Sequence, residues 1–439
     1  MPQTQVKRVP VVARQYLVPF ILLTSLFALW GFANDITNPM VSAFKKVLEL
    51  DNFKASWVQF AFYFGYFTMA LPAAYFIKRY SYKRGIVIGL GLYATGALLF
   101  FPAAANESFT FFLLALYILT FGLAFLETTA NPYVLALGDE KTAVQRLNLA
   151  QAFNPVGALM GLFVAQTFIL GALQSDDLGA EEYAGLESSA KAAIRSADLE
   201  VIRNPYVALG VVVLLMLALF LVIKMPKGEE QESSGGMWAA IKRLWSQPKF
   251  VGGVLAQMFY VGAQIMVWTF IYQYAENIGI NNQDAVYFAM SALGVFLVGR
   301  WVCTLLLRYV SSSLLLSLFA VGALLATLGA IFMVGESGLY SLVAISFFMS
   351  LMFPTIYGLA LEGQGDDAKF GAAFLVMAIV GGALMPPMQA SIMDIGGKGY
   401  ADTLIAGVPE VNFSFILPAI CFVLVAIYGL LVHRNLLKN

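Results

Sequence analysis

Glu127 sits in the middle of Leu-Ala-Phe-Leu-Glu-Thr-Thr-Ala-Asn-Pro-Tyr-Val-Leu-Ala-Leu, residues 123–137, with Asn131 one helical turn beyond it. A carboxylate in so apolar a segment must be protonated, paired or wet. Placing one at a bilayer centre costs about 2.5–3.5 kcal/mol on insertion scales. Asp35 repeats the problem in Trp30-Gly-Phe-Ala-Asn-Asp-Ile-Thr-Asn-Pro, where Asn34 and Asn38 share a helix face. Such acids can take up and release a proton. They can also offer oxygens to a hard cation, and Asp35, Asn38 and Glu127 would form a Na+ set of that kind. Asn148, Gln151 and Asn154 recur at three-residue spacing as one polar stripe, and Gln264, Trp268 and Tyr272 follow each other by single turns. Trp268, Tyr272, Phe353 and Tyr357 have the flat faces on which a sugar ring stacks. A lone membrane amide is more often interhelical glue, worth about 0.6 kcal/mol on average. Glu127 fits that reading poorly.

The residues needed for other chemistries are missing. The one histidine, His433, lies near the C-terminus, and Cys303 and Cys421 stand alone in distant apolar segments. With no HExxH and no GxSxG, neither an intramembrane enzyme nor a cofactor is expected.

The elements that position the polar groups follow from composition. The chain has 439 residues, 60% hydrophobic and 12% charged, with a mean hydropathy of +0.78. A soluble protein carries about 25% charged residues, so lipid is the solvent for most of this chain. Net charge is zero and no basic block suggests nucleic acid. Apolar segments of spanning length, about 20 residues each, are expected at 17–44, 56–77, 84–104, 109–137, 144–172, 204–225, 250–277, 284–308, 313–335, 338–361, 368–394 and 411–434. The first is too long for a signal peptide and lacks a cleavage pattern, so it is read as a retained span. Most of the Lys and Arg fall at the termini and on the connections that share their side, which places both termini in the cytoplasm and the acidic 174–203 loop outside.

A Gly/Ser/Glu-rich and then amphipathic connection divides the chain into a bundle over 1–225, a cytoplasmic linker over 226–249 and a bundle over 250–439. The linker is read as solvated, with 237–245 as a segment able to lie on the membrane surface. The halves are weakly alike. Ala130-Asn-Pro-Tyr-Val-Leu-Ala-Leu-Gly resembles Met352-Phe-Pro-Thr-Ile-Tyr-Gly-Leu-Ala-Leu-Glu-Gly, and each is followed by a helix carrying Gly-Ala-Leu-Met. Two related six-helix halves put a binding site between them near the midplane. Asn-Pro at 38, 131 and 154 predicts kinks, whereas Asn204-Pro205 reads as a helix end. Arg300 is read as an anchor at a helix end or as a snorkelling surface cation. Gly89-Leu-Gly-Leu-Tyr-Ala-Thr-Gly imitates a nucleotide fingerprint but has no preceding strand, so tight helix packing is expected.

Phe60-Ala-Phe-Tyr-Phe-Gly-Tyr-Phe, Leu126-Glu-Thr-Thr-Ala-Asn-Pro-Tyr, Arg146-Leu-Asn-Leu-Ala-Gln-Ala-Phe-Asn and Val261-Gly-Ala-Gln resemble the fucose:proton symporter family of the major facilitator superfamily. The resemblance implies an all-α polytopic fold of twelve transmembrane helices in two six-helix bundles. It also implies import of a monosaccharide (hexose, deoxyhexose or amino sugar) with H+, or alternatively Na+, by alternating access. A bacterial inner-membrane location goes with it, and a monomer is the default. Coupling falls to Glu127 and Asp35, and sugar hydroxyls to Asn131, Gln151 and Asn154. Asn34, Asn38, Gln264, Trp268 and Tyr272 complete the expected substrate site. One departure stands out: fucose permeases carry Asn-Asn-x-x-Asp where this chain reads Asn34-Asp-Ile-Thr-Asn38, moving the acid by one turn. That leaves sugar and ion open, with a uniporter and a non-transporting receptor as the other readings.

Overall fold

A computed structural model of the chain describes residues 10–437 apart from 38, 39, 49, 51, 177–184, 227–235, 281, 334 and 397–402. Asn38, the Asn38-Pro39 kink and the Gly/Ser/Glu-rich part of the linker therefore lie outside the described residues. So do Lys7, Arg8, Lys227, Lys398 and Lys438 of the charge distribution.

Among the described residues, twelve helices are long and apolar enough to cross a bilayer. They are α1 (Arg14–Thr37), α2 (Phe60–Arg79), α3 (Tyr82–Ala105), α4 (Phe109–Ala136), α5 (Glu140–Ala172) and α6 (Ser188–Val222), then α7 (Pro248–Thr269), α8 (Asp284–Leu306), α9 (Ser312–Phe332), α10 (Glu336–Leu361), α11 (Gly365–Met393) and α12 (Glu410–His433). Helices suit this solvent because every backbone group is satisfied within its own segment. Large apolar side chains such as Phe163, Leu215 and Leu325 point outward, as they do where lipid replaces water. The one strand pair among the described residues is a two-residue hairpin, Leu404–Ile405 against Val408–Pro409, just before α12.

Three boundaries differ from expectation, one of them the seventh span, which ends at Thr269 ahead of a separate short helix, Ile271–Asn277. The first span ends at Thr37, and a separate helix, Met40–Val47, follows it. The sixth helix begins at Ser188, well before 204, and Pro205 lies inside it. Asn204-Pro205 is therefore not a helix end. The added turns are held from outside: Asp198 accepts hydrogen bonds from the backbone N–H groups of Gln174 and Ser175, and Arg195 pairs with Glu107 at 2.8 Å. At about 1.5 Å per residue the 35-residue helix is near 50 Å long, well beyond a hydrocarbon core of about 30 Å.

The chain packs as two compact units. One comprises Ser25–Ala130 and Phe153–Met225, the other Met1–Thr24, Asn131–Ala152 and Pro226–Asn439. In the first unit, glycines let backbones touch. A Cβ on Gly157 would lie 1.8 Å from the Ala28 carbonyl oxygen, and one on Gly31 would lie 2.0 Å from that of Asn154. Gly96 abuts the backbone of Leu119, and Gly122 that of Tyr93 and Gly89. The glycine-rich stretch from Gly89 is thus a close-packing surface between α3 and α4, as membrane helices favour.

In the second unit α9 packs on α10 and α12, and α7 on α10, α11 and α12. A Cβ on Gly381 would lie 2.1 Å from the Met258 carbonyl oxygen, so α11 and α7 touch as α5 and α1 do in the other unit. The linker helix Met237–Trp245 is docked on protein. Ala240 and Leu244 are buried, Arg243 grips Asp367 through two hydrogen bonds of 2.7 and 2.8 Å, and Trp245 meets Phe374 edge-on.

Arg146 is fully buried although its span begins only a few residues earlier. Its guanidinium donates to the carbonyls of Val134 and Leu135 in the last turn of α4, to those of Asp139 and Val11, and to the Thr142 hydroxyl. Nε and Nη2 of the rigid fork close the helix end and complement its dipole, while Nη1 ties in the residues around it. Gly138 allows the exit: its φ is +147°, and a Cβ there would meet Arg146 Nη1 at 3.0 Å.

Two outcomes follow. Gly157→Leu should lower the thermal midpoint and the monodisperse fraction on size exclusion, because overpacking costs about 1–3 kcal/mol even where side chains can give, and here the obstacle is backbone. Gly91→Ala, which meets nothing within 4 Å, is the control. Arg146→Met should destabilise by at least about 2 kcal/mol, since several buried carbonyls lose their donor. Arg146→Lys should recover only part of this, with the thermal midpoint read in the same assay.

Candidate functional site

The first unit holds both acids. Glu127 is 1% exposed, so its side chain does not face lipid. Asp35 and Asn34 are half-buried near the end of α1, and Asn34 Oδ1 is enclosed with no hydrogen-bond partner among the described residues. Across from them α2 presents Tyr63 and Tyr66, three residues apart and therefore on one face. Tyr63 is within electrostatic range of Asp35, Tyr66 of Glu127, and the two tyrosines of each other. The Tyr66 hydroxyl accepts a 2.8 Å bond from Trp30 Nε1. An indole N–H only donates, so this bond leaves the Tyr66 proton for another acceptor.

Sequence reasoning missed Trp30, Tyr63 and Tyr66 as neighbours of the acids. The two tyrosines lie in the Phe60–Phe67 block, but aromatic abundance hid them.

The stripe expected along α5 is broken. Asn148 and Gln151 lie on the helical piece Ala143–Gln151, whereas Asn154 opens a second piece, Asn154–Val164, with Pro155 in its first turn. Proline suits the first turn of a helix, where its missing N–H has no intrahelical partner to lose, and the kink is a two-residue interruption at Ala152 and Phe153. The other described kink site, Asn131-Pro132, stays inside α4. Asn154 belongs to the first unit, where its Nδ2 donates to the Phe27 carbonyl at 3.2 Å.

Asn131, Asn148 and Gln151 belong to the second unit. Asn148 Nδ2 donates to Thr355 Oγ1 on α10 at 3.2 Å, and Gln145 Nε2 to the Thr304 carbonyl on α8 at 3.0 Å. Gln151 Nε2 donates to Asn131 Oδ1 at 2.8 Å, and Gln151 Oε1 accepts from Arg300 Nη1 at 3.3 Å. Arg300 is 3% exposed, which overturns its reading as a surface cation. Its guanidinium lies 5.0 Å from the Phe296 ring centre, and the far side of the cluster is Trp268, whose indole meets Phe296 at 5.2 Å.

Trp268 Nε1 donates to Ser346 Oγ at 3.1 Å, fixing the ring plane. Gln264 is half-buried on α7, whereas Tyr272 is half-buried on a separate short helix, Ile271–Asn277, and packs against the unit's apolar core. The structure thus strings Trp268, Gln151 and Asn131 into one cluster through Phe296 and Arg300. It adds Gln257, fully buried on α7, with neither side-chain polar atom partnered among the described residues. Only its being an amide in an apolar helix could have drawn attention to it. Buried polar atoms left without partners are uncommon and mark places where water or ligand atoms complete the set.

The chain matches the family model of the Major Facilitator Superfamily over residues 22–373. It is 53% identical over 423 residues to the L-fucose-proton symporter of Haemophilus influenzae, covering 95% of this chain and 97% of that one. To the L-fucose-proton symporter of Escherichia coli it is 35% identical over 425 residues, covering 95% and 93%. The crystal structure of FucP, a transporter of the superfamily in the outward conformation, superposes with a TM-score of 0.87 at 33% identity, covering 97% of this chain and all of that one. Twelve apolar helices, a buried acid in mid-span and these likenesses lead to one conclusion: the chain belongs to the fucose:proton symporter family of the Major Facilitator Superfamily.

Proposed function

We propose that this chain is a proton-coupled symporter that imports a monosaccharide, with L-fucose or a close stereochemical relative as substrate. The observation that carries the reading is Glu127, buried in mid-span within a unit that also holds Asp35. Protonation makes the site neutral and lets a carboxyl group donate to a sugar hydroxyl. Sugar binding then permits the carrier to reorient, and proton loss on the cytoplasmic side removes that donor and releases the sugar. Asn34, Asn38, Asn131, Gln151, Asn154 and Gln264 supply hydrogen bonds to hydroxyl groups, and Trp268 and Tyr272 supply apolar faces. The chemistry is transport, without catalysis or cofactor.

The two L-fucose-proton symporters support the proton over sodium as the coupling ion. The alternative of Na+ held by Asp35, Asn38 and Glu127 has no comparable support. The halves 1–225 and 250–439, joined by the linker 226–249, are the moving parts in this reading. The matched glycine contacts, Gly157 on Ala28 and Gly381 on Met258, support a repeated plan. We place both termini in the cytoplasm and the protein, as a monomer, in a bacterial inner membrane.

The test is uptake into proteoliposomes over a sugar panel, with proton and sodium gradients imposed separately. An inward proton gradient of one pH unit should accumulate L-fucose about tenfold at one proton per sugar, since each 1.4 kcal/mol is a factor of ten. A sodium gradient alone should accumulate none. Glu127→Gln should abolish accumulation yet keep sugar exchange across the membrane within a few fold. Accumulation that survives the substitution would point to a uniport-like carrier or to coupling elsewhere. Binding without any uptake would point to a receptor.

A further inference from the structure

The guanidinium of Arg300 is the end of a one-way chain. Arginine has donors and no acceptor, so whatever faces Nη1 must present oxygen. Gln151 does so with Oε1, at 3.3 Å. Its other amide terminus is then necessarily Nε2, and this donates to Asn131 Oδ1 at 2.8 Å. That contact in turn points Asn131 Nδ2 away from Gln151. Neither amide can flip without setting N–H against N–H. Both have their donor and acceptor ends fixed by a cation that touches only one of them.

Glue does not explain this cation. Removing a charge from water is costly unless a counter-charge or several hydrogen bonds replace the solvent. Among the described residues no carboxylate lies within ion-pair distance of Arg300, and its Nε has no acceptor. The charge instead rests on the face of Phe296 and on the Gln151 oxygen. An apolar side chain would fill this position more cheaply, so the position calls for what only a cation supplies, a donor that cannot reverse.

We propose that Arg300 is a positioning residue for sugar selectivity: through Gln151 it sets the donor–acceptor polarity of the Gln151–Asn131 pair, and so which sugar hydroxyl geometry that pair accepts. The proposal deepens the functional reading above and rests on Gln151 and Asn131 belonging to the sugar site. Epimers of one sugar differ in where a hydroxyl points, and an amide free to flip serves either orientation. A fixed pair serves one. Loss of Arg300 therefore costs discrimination more than affinity.

The experiment compares apparent KM and maximal rate for L-fucose and its single-hydroxyl epimers in proteoliposomes, after size exclusion shows a folded carrier. Arg300→Met should shrink the epimer-to-fucose KM ratio by about tenfold, the equivalent of one oriented hydrogen bond of 1.4 kcal/mol. Arg300→Lys, which keeps a one-way donor, should restore part of it. In a Gln151→Ala background the Arg300→Met change should alter the ratio no further, as a double-mutant cycle requires of a residue acting through another. If Arg300→Met does not fold, Gln151→Glu serves: it keeps the bond to Arg300, removes the donor to Asn131 and should shift the ratio while the protein remains stable.

A uniform rise in KM for every sugar, with the ratio unchanged in Arg300→Met or in Gln151→Glu, overturns the relay and leaves the sugar site standing. Wild-type KM values in both Gln151→Ala and Asn131→Ala overturn the sugar site at this pair and the relay with it.

Discussion

Hydrocarbon offers no hydrogen bonds, and that constraint decides which features of this protein are structural and which invite chemistry. Every backbone group in a span must find its partner inside the span or on a neighbour. The helices satisfy this almost everywhere, and the exceptions are instructive. Where α4 ends, the Arg146 fork collects its last carbonyls. Where α5 breaks, Pro155 removes a donor in the turn that would have left one unsatisfied. The same constraint makes buried side-chain amides and acids conspicuous, because each one left short of partners holds a place for something polar.

Backbone contact is the second consequence. Without a hydrophobic drive between helices in lipid, association depends on close packing. Gly31, Gly157 and Gly161 bring α1 and α5 to carbonyl contact in one unit, and Gly381 does so for α7 and α11 in the other. Rigid helix pairs of this kind hold the polar side chains at fixed depth.

Much of this was legible in the sequence, because lipid imposes a coarse and lengthy signal. The twelve spans, the fold and the family follow from apolar runs and a few specific blocks. Glu127 could be singled out because a mid-span acid has few innocent readings. What the sequence concealed was local. Charged residues in 188–203 masked the continuation of α6, since helices outside lipid need no apolar run. Pro205 looked like a terminus, yet its missing N–H is tolerated within α6. Arg300 looked like a surface cation because its burial depends on Gln151, which comes from a distant stretch of chain. Tyr63 and Tyr66 were lost among many aromatics, where only tertiary structure separates a hydroxyl facing an acid from a ring facing lipid.

The clamped outer turns of α6 have a practical meaning. Because Asp198 and Arg195 fasten this extension to the neighbouring loop and to Glu107, and the helix continues unbroken to Val222, the projecting end is a lever rigidly joined to the part inside the bilayer. An antibody fragment seated on residues 188–203 would report the tilt of that helix directly. It would also give the protein the asymmetric landmark that particle alignment needs.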